Sequence, residues 1–182
     1  EISCYNENMS YTNIGGVSLL NIGDKIVYPM HGAGVVSGVE NCEVMGEHKS
    51  YYVLKMPLGN MKVMIPTDNV GSIGLRDVIP HDDVEKVKLV LQSAPEHIAG
   101  SWNKRFNVNL VKIKTGDICN VAAVVRNLIL QDRFKKISTG ERRLLDVAKQ
   151  ILISELVFAC DKQPEAVEEW LYDLLDNNLL ES

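Results

Sequence analysis

The chain has 182 residues, 46% of them apolar and 24% charged, with a formal net charge of −5 at pH 7. That is the make-up of an ordinary globular protein of one or two domains. It excludes a helical membrane protein, because no window approaches the ~20 apolar residues of a span.

Residues 1–17, with their polar "NENMSYTNIGG", read as a loosely attached extension, and "EISCYNENMS" has neither the basic nor the apolar region of a secretory signal. From Asp24 to about Ile73 the chain reads as short strands. "DKIVYP", "GVVSGVENCEV", "KSYYVLKM" and "MKVMIP" are rich in Val, Ile and Tyr and are broken by Gly32-Ala33-Gly34, Met45-Gly46-Glu47 and Leu58-Gly59-Asn60. Hairpin-length turns at that spacing predict a small, strongly bent antiparallel β-barrel over residues 18–78. Pro29 and Pro66 lack the N–H a ladder needs and should end their strands.

After Pro80 the period becomes helical, which predicts an all-α domain over residues 79–182 and an α+β chain overall. Val84, Val87 and Leu91 mark a short helix ending before Pro95. Trp102, Phe106, Leu110 and Ile113 share one stripe of a second, with Ser101 as N-cap and Gly116 as stop. Asp117 should cap a third helix, carrying Ile118, Val121, Ala122, Val125, Leu128 and Ile129. "STGE", Ser138 to Glu141, fits a capping box opening a long fourth. Pro164 suits the first position of a last helix, where Val167, Trp170, Leu171 and Leu174 should pack.

Chemistry-bearing residues are dispersed. Cys4, Cys42, Cys119 and Cys160, like His31, His48, His81 and His97, have no ligand spacing, so a reducing cytoplasm is expected, and no metal or cofactor. Gly32-x-Gly34 lacks the helix that a dinucleotide loop requires, and no G-x-S-x-G elbow is present. No catalytic constellation is legible, and a non-enzymatic binding protein is expected. The charge is unevenly placed. Residues 98–136 hold eight cations (Lys104, Arg105, Lys112, Lys114, Arg126, Arg133, Lys135, Lys136) against Asp117 and Asp132. Such a block suits phosphate recognition, and equally a set of solvated helix faces. Trp102 carries the same ambiguity. Its stripe permits burial, yet an apolar wedge beside cations is also what props open a base step from the minor groove.

"NIGDKIVYPMHGAGVVSGVE", "YYVLKMPLGNMKVMIP" and "SWNKRFNVNLVKIKTGD" together resemble the CarD/CdnL family of bacterial transcription regulators. The resemblance implies an N-terminal Tudor-like (SH3-like) domain that binds the RNA polymerase β subunit. It implies a C-terminal helical domain that touches promoter DNA at the upstream edge of the melted bubble and stabilises the open complex. In the family's W-x-[RK]-R-[YF] stretch, here Trp102, Lys104, Arg105 and Phe106, the tryptophan wedges into the minor groove; a further basic contact matches Arg142. The family's β-augmenting strand matches Lys62, Val63, Met64 and Ile65. Some members have arginines where this chain has Cys42 and Met64, and a lysine where it has Asn107. A monomer in the cytoplasm, reaching the nucleoid through polymerase, is expected. The rival expectation is a protein adaptor on polymerase without direct DNA contact.

Overall fold

A computed structural model describes residues 4–6, 20–44, 47–96 and 98–180. The chain divides into two compact units, residues 1–28 with 33–78, and residues 29–32 with 79–182.

The Val-, Ile- and Tyr-rich segments of the first unit pair as antiparallel strands. They are β1 (Cys4–Asn6), β2 (Lys25–Tyr28), β3 (Gly32–Val44), β4 (Glu47–Lys55), β5 (Lys62–Pro66) and β6 (Arg76–Asp77). Their order is β5-β4-β3-β2-β6, with β1 added to β3 from Cys4↔Cys42 to Asn6↔Glu40. The β3–β4 register runs from Val44↔Glu47 to Val35↔Lys55 and shifts between Val36 and Gly38. Such a bulge bends and twists the sheet. Ile26, Val36, Tyr52, Leu54, Met56, Ile65 and Val70 gather into one apolar cluster. Gly34 permits the close approach of β3 to β4, because a Cβ there would stand 2.8 Å from Leu54 Cγ and 2.9 Å from the Lys55 carbonyl.

Several expectations for this unit are corrected. The barrel does not close: β5 and β6 are the two ends of the path, and no ladder joins them among the described residues. With two residues, already paired to Ile26 and Val27, β6 has too little strand to seal it. Gly32-Ala33-Gly34 is not a turn but the start of β3; the reversal falls at Pro29-Met30-His31, where Met30 takes φ +68°. Residues 4–6 of the stretch read as a loose extension form β1, because β3 is far longer than its neighbour β2 and offers a free flank. Residues 7–19 and the expected break at Met45-Gly46 lie outside the described residues. β2 stops before Pro29, and β5 ends on Pro66.

The second unit contains α1 (Val84–Gln92), α2 (Trp102–Lys114), α3 (Ile118–Phe134), α4 (Thr139–Cys160) and α5 (Pro164–Leu180). Residues 121–130 of α3 are all buried, and that helix packs against α1, α2 and α4 while α5 covers α1 and α4. A helix buried on every side belongs at the centre, and α3 is the hub of this unit. Its start is fixed by Asp117, whose Oδ1 accepts the N–H groups of Cys119 (2.7 Å) and Asn120 (3.1 Å). On α5 the buried stripe is Val167, Leu171 and Leu175, with Leu174 only half-buried. The i, i+4, i+8 row wins over the expected i+7 position.

Candidate functional site

Two surfaces carry the residues singled out in the sequence, one in each unit. In the helical unit, Gly100 takes φ +122°, a conformation that L side chains rarely adopt, and turns the chain into α2. Ser101 stands at the N-cap position, but its hydroxyl makes no capping bond. The stripe of α2 is rotated from the expected one: Asn109 and Ile113 are buried, while Phe106 and Leu110 are half-buried. That rotation leaves Trp102 at the surface, 49% exposed. One edge of its indole lies against the start of α4, where a Cβ on Gly140 would sit 3.8 Å from Trp102 Cζ3. Arg142 is two residues further along α4. Packing of the two helix starts therefore sets Trp102 against Gly140, across 38 positions of sequence.

The joint beneath them is charged. Glu141, 1% exposed, closes the predicted capping box: Ser138 Oγ accepts the Glu141 N–H (3.2 Å), and Glu141 Oε2 accepts from the Ser138 N–H (3.0 Å) and hydroxyl (2.8 Å). Its other oxygen accepts from Arg105 Nε at 3.1 Å. Burial pushes the Glu141 carboxyl up, but the Ser138 N–H and hydroxyl and the Arg105 guanidinium outweigh it and hold it below its ordinary value. Arg105 Nη1 also donates to the Gly100 carbonyl at 3.0 Å, and its side chain is 26% exposed. Arg105, expected as a DNA contact, thus has its guanidinium engaged within the protein. Its guanidinium is a strut between α2 and α4, occupied by a carboxylate that the local sequence does not reveal.

Other cations of the basic block are also paired. Lys112 pairs with Glu96, and Arg133 with Asp176 at 2.6 Å. Arg126 is buried, donating to the Val90 carbonyl (2.7 Å), Ser93 Oγ and Asn127 Oδ1 (2.8 and 3.1 Å). Burial lowers the pKa of Arg126, partly offset by Glu96. Arg142 Nη2 lies 2.8 Å from both oxygens of Asp132, whose carboxyl is held low by the Ile137 N–H and then by Arg142. Among the described residues, Lys104, Lys114, Lys135 and Lys136 are exposed and enter none of the ion pairs. A segment-by-segment tally overstated the free charge, since Glu96, Glu141 and Asp176 reach in from outside the block. Trp102 and Lys104 are both exposed at the start of α2, whereas the guanidinium of Arg142 is engaged by Asp132.

In the sheet unit, β5 ends the strand path, so one of its edges is unpaired among the described residues. Its partner β4 takes the register Lys55↔Lys62, Leu54↔Val63, Val53↔Met64, Tyr52↔Ile65 and Tyr51↔Pro66. Side chains alternate: Lys62 and Met64 are exposed, Val63 is half-buried, and Ile65 is fully buried in the core. Ile65 can therefore offer a partner its backbone but not its side chain. Cys42 does not join this surface. It is buried in β3, flanked by β1 and β4, and stands opposite Lys49, beyond the Tyr51↔Pro66 end of the β4–β5 ladder. Among the described residues no group of three or more potential ligand side chains could hold a metal, and no helix is long and apolar enough to cross a membrane.

Residues 20–79 match the family model described as CarD-like/TRCF RID domain, and residues 86–172 match that of the CarD C-terminal domain. The chain is 39% identical over 138 residues to "Putative transcription factor YdeB" of Bacillus subtilis (strain 168), covering 76% of this chain and 90% of that protein. It is 43% identical to the solved "CdnLNt from Myxoccoccus xanthus", which covers 37% of this chain and 94% of its own length with a TM-score of 0.30.

Proposed function

The chain belongs to the CarD family of RNA polymerase-interacting transcription factors, and on that premise we propose that it stabilises the open promoter complex. In this reading the sheet unit docks on the polymerase β subunit through β5, and the helical unit meets DNA at the upstream fork of the bubble. Tethering by the first raises the local concentration of the second, so weak DNA affinity suffices. Trp102 is the observation that carries the reading. A half-exposed indole at a helix start, two residues before the exposed Lys104, fits a wedge that fills an unstacked base step while cations hold the phosphates. The direct test is the lifetime of the open complex formed by purified RNA polymerase on a melting-limited promoter. Added full-length chain should lengthen it, and an unchanged lifetime would count against the proposal.

A second reading, an adaptor on the polymerase that touches no DNA, draws on the ion pairs that occupy Arg105, Lys112, Arg133 and Arg142. Salt separates the two. Counterion release makes DNA affinity fall steeply with salt, by about one unit of log–log slope per phosphate contact. Lys104→Glu combined with Arg142→Glu should flatten the slope by about two units. An unaltered slope would remove both residues from the interface.

The β5 edge makes a separate expectation. Successive N–H groups along a strand point to opposite edges, so one of the neighbours Val63 and Met64 donates outward. Proline at that position spares the β4–β5 ladder but removes a bond to the partner. A folded Val63→Pro or Met64→Pro protein should bind polymerase β about tenfold more weakly, given ~1 kcal/mol per hydrogen bond and the added clash. Full affinity in both folded variants would move the interface elsewhere.

A further inference from the structure

Asn109 on α2 and Asn127 on α3 are 2% and 6% exposed, and Asn109 Oδ1 and Asn127 Nδ2 have no hydrogen-bond partner. The amide of Asn127 is firmly oriented. Its Oδ1 accepts from Arg126 Nε (3.1 Å), Arg126 Nη2 (2.8 Å) and the Glu96 N–H (3.0 Å), which turns Nδ2 the opposite way. Buried amide atoms without partners are rare and destabilising, since their hydration is lost and nothing replaces it. Here one orphan acceptor and one orphan donor belong to side chains that line the same cleft of about 500 Å³, within the usual size of small-molecule sites.

The rest of the lining narrows the chemistry. Ile98, Leu130 and Phe134 supply apolar walls, and Phe134 is 76% exposed at the mouth. Lys135 and Lys136 stand in the same lining, exposed and outside every ion pair of the described residues. We propose that this cleft binds a nucleotide: a flat base carrying both a donor and an acceptor, with a phosphate reaching the two lysines. The base would take a bond from Asn127 Nδ2 and give one to Asn109 Oδ1, while its faces rest on the apolar walls. A hydrocarbon would leave both amides unpartnered, and an inorganic anion would reach only the lysines. A duplex is too wide to enter. A free nucleoside monophosphate and an unpaired nucleotide of a single strand share the required chemistry. This site is independent of the wedge reading, and its failure would leave Trp102 where it stands.

The test is NMR on the ¹⁵N-labelled full chain, following the side-chain amides of Asn109 and Asn127. GMP, UMP, inorganic phosphate and a single-stranded octanucleotide are the probes. A nucleotide should move both amides saturably with a Kd below about 1 mM, and phosphate should leave them in place. Saturation by GMP or UMP assigns a free ligand. Response to the octanucleotide alone assigns a strand nucleotide. Lys135→Glu with Lys136→Glu should weaken binding about tenfold without changing the unfolding temperature. Asn109→Leu, which removes the orphan acceptor, should abolish the shifts and unfold no earlier than the native chain. Should it fail to fold, the lysine pair still decides. Amides unmoved by every nucleotide probe at about 5 mM would overturn the proposal, as would undiminished binding in the lysine variant.

Discussion

Trp102→Ala should shorten the open-complex lifetime about tenfold while costing less than ~2 kcal/mol of folding stability. The second number follows from exposure. A fully buried tryptophan loses about 3–5 kcal/mol on truncation, because a cavity is left behind. Trp102 is 49% exposed and touches the fold along one edge, at the first turn of α4. The first number follows from the step it would prop open. Unstacking a base pair costs a few kcal/mol in intact duplex, and a wedge recovers part of that at a fork. Chemical unfolding and promoter-complex lifetime, measured on the same variant, separate the roles. A stability loss above ~3 kcal/mol with an unaltered lifetime would make Trp102 a packing residue and end the wedge reading.

The largest stability effect should come from Glu141→Gln, at about 2–4 kcal/mol near neutral pH. Glutamine keeps an oxygen for the Ser138 N–H but removes the charge that Arg105 meets in a buried joint. Removing one partner of a buried pair usually costs ~3–5 kcal/mol. The 26% exposure of Arg105 and its bond to the Gly100 carbonyl soften that figure. The pH dependence has a definite sign. Glu141 has its folded pKa lowered from 4.5, so its contribution is complete above that value and is lost as pH falls through the folded pKa. The gap between wild type and variant should therefore be widest at pH 7 and shrink below about pH 4.5. A gap that is constant from pH 7 to pH 3, in urea titrations, would show that the ionised carboxylate is not what holds the joint.

The parts of the fold that were legible are those whose causes lie within a few residues. Asp117 and the Ser138–Glu141 box bond to backbone groups two and three positions away, so sequence spacing reveals them. The strands from Lys25 to Pro66 announce themselves by composition and by their bounding prolines and turns. β6 has no pattern to read, because two residues make no alternation. Its role depends on β2 finding it. Asn109 was invisible as a buried residue, because a polar side chain interrupts the apolar stripe at that position. Trp102 and Lys104 are both exposed, but the charge around them is less free than the sequence segment suggests. Glu96, Glu141 and Asp176 lie outside the basic segment and meet it only through packing.

The edge of β5 also bears on what the chain does when no partner is present. An unpaired strand edge accepts any extended backbone, including that of a second copy, and long flat edges seed fibrils. This one is five residues long, opens on the exposed Lys62 and closes on Pro66, which has no N–H to give. Brevity, a cation at one end and a silent position at the other leave too few bonds for self-stacking to propagate. If β5 is the docking edge proposed above, side chains such as the exposed Met64 would have to complete recognition, and the features that guard the edge against self-pairing would also select its partner.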